Sequence, residues 1–300
     1  MATVLEQLPR GARVAVIRLR SLGDCVLTTP ALEILKRARP DLRVGVVVEE
    51  AFAAIFEGHP DVDELLAPRV RELARFRPQL AVNFHGGTRS LRLAALSGAR
   101  FRAGFAHFRC GFVHNVKIPR AQEILGEERK VHTAEHMASA IFYLGAPGCD
   151  IPRARLFVDP GGPRGAPYVV MHPVASAPEK TWPAEKFLAL ARGLKMDCVF
   201  MGGAGEDLSA FGEHRTLAGA PLAEVKRLLQ GAALFVGNDS GPAHMATALG
   251  VPAVVIFGAS DPVIWGPWKA AAETLVARGP IAEIREEDVL AAVERLEVPA

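Results

Sequence analysis

A polar segment in the second half of the chain has the residue types needed to hold phosphate without a metal ion. Residues 237–244 read Gly-Asn-Asp-Ser-Gly-Pro-Ala-His and follow an apolar run. Asp239 or Ser240 can cap a helix that begins here, and Pro242 suits its first turn. The first N–H groups of a helix lack internal partners and lie at the positive end of its dipole, so they attract anions. The predicted phosphate site is therefore the start of this helix, and His244 falls in its first turn, near whatever the turn binds.

Asp24 is a polar residue that chemistry could use, at a junction between an expected strand and an expected helix. It follows the first expected strand and stands near the start of the next helix, close to Arg18 and Arg20 in the chain. A carboxylate at such a place can have a functional role, but aspartate is also a leading helix-capping residue. The residues alone therefore leave both roles open for Asp24.

Two further loops carry charged residues where a strand is expected to end. Lys180 lies in a loop rich in small residues and is either a phosphate ligand or a solvated charge. Glu206 follows the glycine-rich turn 202–205, whose spacing fails the G-x-G-x-x-G dinucleotide pattern. Glu206 can accept hydrogen bonds from ribose hydroxyls, or it can occupy the N-terminus of a helix that begins near it.

Two spacings suggest a metal ion, but both have a simpler structural interpretation. Asp61 and Asp63 form a D-x-D pattern of the kind that holds a divalent cation, yet they lie beside a proline, and aspartate and proline both favour turns. His132 and His136 fall on one face of an expected helix, but no third ligand follows at a metal-binding spacing. A structural turn and a capped, solvated helix are therefore predicted.

The elements that must position these residues alternate between apolar strands and helical patterns in both halves of the chain. The predicted strands are 13–19, 43–48, 80–83 and 101–104, followed by 168–172, 197–201, 234–236 and 253–257. Helices are predicted after Thr28, Ala51, Thr88 and Thr133, and near Trp182, Glu206, Pro221 and Pro242. Because the strands lack a clean polar alternation, both sheets are expected to be covered on both faces.

The segment 150–167 is rich in proline and glycine and continues neither a strand nor a helix easily. It predicts a boundary between two domains, residues 1–158 and residues 159–300. Each domain is expected to be a Rossmann-like, doubly wound α/β domain, with the two facing each other across a cleft. Ligands bind at the carboxyl ends of the strands in such folds, where the four loops described above begin.

The composition favours an enzyme of a reducing compartment over a nucleic-acid-binding protein. The 300 residues carry 35 Lys and Arg against 33 Asp and Glu, a balance that does not indicate nucleic acid as a partner. The four cysteines are scattered without a C-x-x-C pair, so neither a disulfide framework nor a zinc site is expected. The N-terminus does not read as a signal peptide, and no apolar run approaches the roughly 18 residues of a membrane span. A cytoplasmic protein is predicted.

Taken together, these segments resemble glycosyltransferase family 9, the ADP-heptose:lipopolysaccharide heptosyltransferases, which adopt the GT-B fold. The similarity covers nearly the whole chain. It is carried by residues 17–32, 59–64, 85–90, 180–183 and 237–244, with residues 258–262 in support. Each segment is modest evidence by itself, but their order and spacing also match the family.

The resemblance implies an inverting transferase that requires neither a metal ion nor another cofactor and uses a nucleotide sugar, ADP-heptose, as donor. Asp24 matches the family's catalytic base, and Lys180 matches a lysine that stabilises the diphosphate leaving group. Glu206 matches the residue that holds the ribose. The donor-binding positions implied by the family are Ser176, Lys180, Glu206, Asp239, Ser240, Gly241 and His244.

The first half is then expected to bind the acceptor, an anionic glycolipid or glycan such as the Kdo- and heptose-bearing inner core of lipopolysaccharide. The acceptor-binding residues implied are Arg18, Arg20, His85 and Arg89. Such an acceptor implies peripheral contact with the inner face of the inner membrane. Two alternatives remain open: a family 9 enzyme with another nucleotide sugar and glycan acceptor, or a nucleotide-sugar-binding paralogue without catalysis. A dinucleotide-binding protein is disfavoured by the failed glycine spacing at residues 202–205.

Overall fold

A computed structural model describes residues 2–109, 111–158 and 166–297. The chain forms two compact units, Met1–Phe157 and Val158–Ala300, which we call the first and second units. Cys110 lies outside the described residues. So do residues 159–165, which belong to the predicted proline- and glycine-rich boundary. Within the part of the chain that is described, no helix combines the length and apolar character that crossing a bilayer requires.

The first unit contains a parallel sheet of six strands in the order β3-β2-β1-β4-β5-β6. Its strands are β1 (Arg13–Ile17), β2 (Arg43–Val47), β3 (Glu64–Leu66), β4 (Leu80–Asn83), β5 (Phe101–Phe105) and β6 (Val116–Ile118). Its helices are α1 (Leu22–Ala38), α2 (Val70–Phe76), α3 (Thr88–Ala95), α4 (Ala121–Leu125) and α5 (Thr133–Leu144). The strand order reverses between β1 and β4, and ligands of such sheets bind at the carboxyl ends of the strands beside that point.

The second unit repeats this topology in the order β12-β11-β10-β7-β8-β9, again with all neighbouring strands parallel. Its strands are β7 (Tyr168–His172), β8 (Asp197–Gly202), β9 (Arg215–Ala218), β10 (Leu234–Asn238), β11 (Ala253–Phe257) and β12 (Ala272–Val276). Its helices are α6 (Ala184–Gly193), α7 (Leu222–Gly231), α8 (Gly241–Ala248), α9 (Pro262–Trp265) and α10 (Glu286–Arg295). The corresponding switch point lies between β7 and β10.

The central strands are buried on both faces, as their apolar sequences predict. Every residue of β4, β10 and β11 is buried, and only the first residue of β1 and of β7 is partly exposed. Crossover helices cover a parallel sheet on both sides, which is why these strands lack a polar face. The predicted doubly wound α/β class is confirmed, and the rigid central strands fix the positions of the loops that follow them.

Several predicted elements differ in detail from the observed ones. Helix α1 begins at Leu22 and not after Thr28, because Ser21 takes the N-cap position. The helix predicted near Glu206 is wrong: the chain forms a short 3₁₀ turn at Ser209–Phe211 and then β9. The strands missed from the sequence, β3, β6, β9 and β12, are short or partly exposed and therefore lack a continuous apolar run.

Candidate functional site

Asp24 lies in the first turn of α1, where two neighbouring side chains hold its carboxylate. Arg18 Nη1 is 3.5 Å from Asp24 Oδ1, and the Ser21 hydroxyl donates a hydrogen bond of 2.9 Å to Asp24 Oδ2. Ser21 is the N-cap residue of α1, so Asp24 does not itself occupy the cap position. The Asp24 side chain is 21% exposed, which leaves part of the carboxylate accessible to a hydroxyl group.

Arg18 is buried directly after β1, and its charge is directed at Asp24. The residue is only 4% exposed, and its Nη2 lies 3.2 Å from the sulfur of Met137. Burial lowers the pKa of the Arg18 guanidinium, an effect that the charge of Asp24 opposes. A buried guanidinium needs an anionic partner, because an unpaired charge in the interior is costly. This arrangement makes Arg18 a residue that orients Asp24.

On the other side of the switch point, Asn83 positions the loop that carries His85. Asn83 is fully buried at the end of β4, and its Oδ1 accepts hydrogen bonds from the backbone N–H of His85 at 3.1 Å and of Gly86 at 3.3 Å. His85 Nδ1 lies 3.2 Å from the carbonyl oxygen of Arg20. Burial and the nearby charge of Arg18 lower the pKa of His85, so its ring is neutral near pH 7. The side chain of Arg20 is exposed.

Arg89 forms a different ion pair of the first unit, with Glu49 in place of Asp24. Its Nη1 is 2.8 Å from Glu49 Oε1, and its side chain is 56% exposed. The pair borders a cavity of about 390 Å³. The remaining lining is largely apolar and includes Val48, Ala53, Leu65, Leu66 and Pro68. A cavity with an apolar wall and one ion pair can hold the apolar face of a sugar ring.

Of the two aspartates that suggested a metal ion, Asp63 has clear structural partners. Asp63 Oδ2 lies 2.6 Å from Lys36 Nζ and accepts a hydrogen bond of 2.6 Å from the backbone N–H of Val44. Asp61 is partly buried, and burial raises the pKa of its carboxyl group. Among the described residues, no group of three or more histidine, cysteine or acidic side chains is placed to hold a metal ion.

The two spaced histidines differ from the predicted solvated helix. His132 is buried, and its side chain caps α5 by accepting a hydrogen bond from the backbone N–H of Ala134. His136 stacks on the Phe105 ring with the ring centroids 3.9 Å apart. Burial, with smaller contributions from His107 and Arg18, lowers the pKa of His136 to about 4. Their i, i+4 spacing therefore reflects a cap and an aromatic contact.

In the second unit, the residue at the start of α8 does not cap its own helix. Ser240 is the N-cap residue of α8, but its side chain makes no capping hydrogen bond. The Ser240 hydroxyl instead lies 3.2 Å from Nδ1 of the buried His172, across the switch point between β7 and β10. The side chain of Ser240 thus leaves the first N–H groups of α8, from Gly241 onward, to other acceptors.

Lys180 stands beside this helix start on a segment that is held firmly. Its Nζ lies 4.0 Å from Asp239 Oδ2. Burial raises the pKa of Asp239, whereas Ser260 and Lys180 favour its charged form. A Cβ placed on Gly258, at the end of β11, would lie 2.1 Å from the carbonyl oxygen of Glu179. Glycine at position 258 is therefore required for the Lys180 segment to pack where it does.

Glu206 and the turn before it complete this edge of the second unit. Glu206 Oε2 accepts a hydrogen bond of 2.6 Å from the backbone N–H of Gly203 and lies 3.8 Å from His172 Nε2. Burial lowers the pKa of His172, an effect that Glu206 opposes. The Glu206 side chain is 34% exposed, so its carboxylate can also accept hydrogen bonds from hydroxyl groups of a ligand.

The other two predicted donor-binding residues have different environments. Ser176 is exposed and lines a shallow cavity of about 500 Å³ with Ala175, Pro178 and Thr181. His244 is buried, with 6% of its surface exposed. The predicted residues Lys180, Asp239, Ser240 and Gly241 are thus brought together around the start of α8, with Glu206 linked to them through His172.

Sequence reasoning missed Asn83, Asn238 and the role of His172. Both asparagines are fully buried, and each is the last residue of a strand beside a switch point. A polar residue that ends an otherwise apolar strand is the signal that could have identified them. Such a residue must find hydrogen-bond partners inside the protein, and here the partners are the functional loops.

Residues 100–293 match the sequence profile of glycosyltransferase family 9 (heptosyltransferase), which is more than half of the chain. The chain belongs to glycosyltransferase family 9. The match includes every candidate residue of the second unit, whereas the candidates of the first unit precede it.

Individual family 9 proteins and solved structures are similar over most of their length. Lipopolysaccharide heptosyltransferase 3 of Escherichia coli is 28% identical over 290 residues, which covers 83% of this chain and 84% of that protein. The family 9 glycosyl transferase structure from Veillonella parvula is 24% identical with a TM-score of 0.82, covering 95% of this chain and 97% of its own. E. coli heptosyltransferase WaaC, solved with ADP, is 22% identical with a TM-score of 0.79. The alignment covers 95% of this chain and 99% of the WaaC chain. The predicted GT-B fold is confirmed, and the family 9 chain is a glycosyltransferase.

Proposed function

We propose that this family 9 protein transfers a heptose from ADP-heptose to the Kdo- and heptose-bearing inner core of lipopolysaccharide, with inversion at the anomeric carbon. The observation that carries the proposal is the start of α8, where Ser240 turns its side chain to His172 and Lys180 lies alongside. That arrangement suits a diphosphate. The choice of ADP-heptose is supported by the similarity to a lipopolysaccharide heptosyltransferase and to a heptosyltransferase solved with ADP.

The second unit binds the donor in this proposal. The diphosphate accepts hydrogen bonds from the first N–H groups of α8 and replaces Asp239 as the partner of Lys180. Glu206 accepts hydrogen bonds from the ribose hydroxyls. Ser176, Gly241 and His244 complete the donor-binding set, with His244 acting from its buried position.

The first unit binds the acceptor and supplies the base. As the acceptor oxygen bonds to the anomeric carbon, its proton passes to the Asp24 carboxylate, and the bond from the anomeric carbon to the β-phosphate oxygen breaks. The electron pair of that bond leaves with the diphosphate, where Lys180 and the α8 amides stabilise the growing charge. Arg18 orients Asp24 by the contact of 3.5 Å. No step in this scheme needs a metal ion or a separate cofactor.

Anionic groups of the acceptor are bound by the exposed arginines, Arg20 and Arg89, while His85 accepts a hydrogen bond from an acceptor hydroxyl group through Nε2. An arginine fork matches carboxylate and phosphate oxygens, which abound in a Kdo-bearing, phosphorylated core. Because such an acceptor is anchored in lipid, the enzyme works at the cytoplasmic face of the inner membrane, in peripheral contact with it.

The test is a transfer assay with the purified protein, ADP-heptose and a Kdo-bearing lipid A acceptor. We expect release of one ADP for each heptose added, with mass spectrometry identifying the product and NMR establishing an inverted anomeric configuration. Parallel reactions with UDP-linked and GDP-linked sugars control for the donor. Transfer from one of those donors in place of ADP-heptose would overturn the choice of donor. Nucleotide-sugar binding without transfer to any acceptor would indicate a non-catalytic paralogue.

A further inference from the structure

One continuous stretch of the first unit carries an unusual charge. Residues 73–122 contain no aspartate or glutamate, although the whole protein has nearly balanced charge, with a net +2. The basic residues of this stretch are Arg75, Arg77, Arg89, Arg92, Arg100, Arg102, Arg109, Lys117 and Arg120. Arg89 and Arg120 are paired with Glu49 and Glu123 from outside the stretch, but the stretch itself contributes no acidic residue to balance the others.

Within this stretch lies the most exposed of the large apolar side chains in the described residues. Phe112 is 84% exposed on a 3₁₀ turn, Gly111–Val113. The turn itself is well anchored, because Val113 packs against the buried cluster that contains Leu93 and Ala94 of α3. Phe112 is therefore held outward on a fixed support, although burying its ring would be favourable.

A second apolar residue and several arginines surround this turn. Leu96, at the end of α3, is 50% exposed. The Arg102 guanidinium donates hydrogen bonds to the carbonyl oxygens of Val113 at 2.9 Å and Ala99 at 3.2 Å, so it ties the turn to the segment that joins α3 to β5. Exposed Arg92 and Arg100 flank this segment. We call Arg92, Leu96, Arg100, Arg109 and Phe112 the basic-aromatic surface.

We propose that the basic-aromatic surface docks the enzyme on a lipid bilayer that contains anionic headgroups. The arginines meet the phosphate groups of the headgroups, while Phe112 and Leu96 enter the boundary between headgroups and acyl chains. The charge on the surface selects this occupant: a second copy of the same surface would be repelled, whereas an anionic leaflet attracts it. This docking rests on the proposed function, and it assigns the surface by which the enzyme contacts the membrane that presents the acceptor.

The test is sedimentation of the full chain with vesicles that contain no acceptor glycolipid. One set is phosphatidylglycerol and phosphatidylcholine in equal parts, and the other is phosphatidylcholine alone. We expect binding to the anionic vesicles that weakens about fivefold for each of Arg92→Gln and Arg109→Gln, and about tenfold for Phe112→Ser. The matched control is Val276→Ser with Arg192→Gln, which alters an exposed valine (49% exposed) and an exposed arginine of the second unit and should leave binding unchanged.

Binding to anionic vesicles that the Phe112 and arginine variants leave intact would overturn the proposal, as would the absence of binding. Self-association that Phe112→Ser abolishes, measured by sedimentation velocity without vesicles, would assign the surface to a second copy and likewise overturn it. Turnover on a water-soluble, delipidated acceptor reports the proposed function separately. We expect the Phe112→Ser and arginine variants to keep that turnover, so failure of docking and failure of the transferase assignment are distinguishable.

Discussion

The side-chain carbonyl of Asn238 accepts a hydrogen bond of 2.9 Å from the backbone N–H of Trp182. The same side chain donates a second hydrogen bond, of 3.0 Å, to the carbonyl oxygen of Pro173. Pro173 and Trp182 flank the segment that carries Lys180. One buried asparagine at the end of β10 thus fixes both ends of the lysine segment, beside the start of α8.

Asn238→Ala should therefore weaken both the fold and the anion site. Losing two buried hydrogen bonds and leaving their partners unsatisfied should lower the free energy of unfolding by about 2–3 kcal/mol, measurable by urea denaturation. Affinity for a nucleoside diphosphate should also fall. Asn115→Ala is the control, because Asn115 also bonds two backbone groups, of Arg102 and Arg100, but is exposed. Equal losses of stability in the two variants would contradict the role given to burial.

Asp24→Asn should separate catalysis from binding. Asparagine keeps the size of the side chain and can still accept a hydrogen bond from Ser21, but it cannot take the acceptor's proton. Transfer should fall on the order of 10²–10⁴-fold, with donor affinity nearly unchanged. Turnover within a few-fold of wild type would leave Asp24 a structural residue of the first turn of α1.

Lys180→Ala should discriminate between ligands with and without phosphate. A hydrogen bond to a charged group is worth roughly 1.5–3 kcal/mol, so binding of a nucleoside diphosphate should weaken about ten- to a hundred-fold. A bare nucleoside should be affected far less. Calorimetry provides the measurement, with Lys186→Ala as the control, since Lys186 Nζ bonds the carbonyl oxygen of Ile284. Equal losses for both ligands would move the phosphate site elsewhere.

Chelation should leave the transfer rate intact. In the proposed mechanism Lys180 and the α8 amides neutralise the leaving group, so EDTA removes nothing that the reaction uses. Asp63→Ala should lower the free energy of unfolding by about 1–2 kcal/mol, because it removes the bonds to Lys36 and Val44, without lowering turnover. Activity lost in EDTA and restored by Mg²⁺ or Mn²⁺ would overturn the metal-free scheme.

His136 should make the fold sensitive to mild acid. Burial lowers its pKa from the ordinary 6.5 to about 4. Between these two pH values, the unfolded chain binds a proton at this residue and the folded chain does not. The contribution of His136 to the free energy of unfolding is complete above pH 6.5 and decreases as the pH falls toward 4. At pH 5 the decrease is about 2 kcal/mol. His136→Phe keeps the stacking on Phe105 and should lose less stability between pH 7.5 and pH 5.

Urea denaturation at the two pH values measures this effect. The control is His214→Phe, which replaces a histidine of the second unit whose ring also contacts a phenylalanine, Phe200. The loss of stability between the two pH values is compared in the two variants and the wild type. An unchanged pH dependence in His136→Phe would show that other groups cause the loss.

The residue types at the strand ends were enough to nominate Asp24, Lys180 and Ser240, because a parallel sheet gathers its functional loops at one edge. Apolar runs also predicted the central strands. The sequence could not show that Arg18 is buried, since the direction of its side chain depends on Met137, 119 positions away in the chain. The roles assigned to these residues in transfer stay predictions.

Glu206 illustrates a different limit. A glycine-rich turn followed by a glutamate reads locally as the start of a helix, yet the chain continues through a 3₁₀ turn into the partly exposed edge strand β9. The sequence of an edge strand often lacks a continuous apolar run, because the strand has a neighbour on one side only and is partly exposed. Pairing of β9 with β8 therefore decided a local structure that propensity alone assigned wrongly.

The close approach of Gly258 to Glu179 has a consequence for changes of donor. With room for no side chain at position 258, the backbone that carries Lys180 already lies against the end of β11 and cannot move closer to it. A new nucleotide sugar therefore cannot be accommodated by moving this segment toward β11. Adaptation to another donor must come from replaceable side chains at its surface, such as Ser176, and directed evolution of the enzyme should accumulate changes there while position 258 stays glycine.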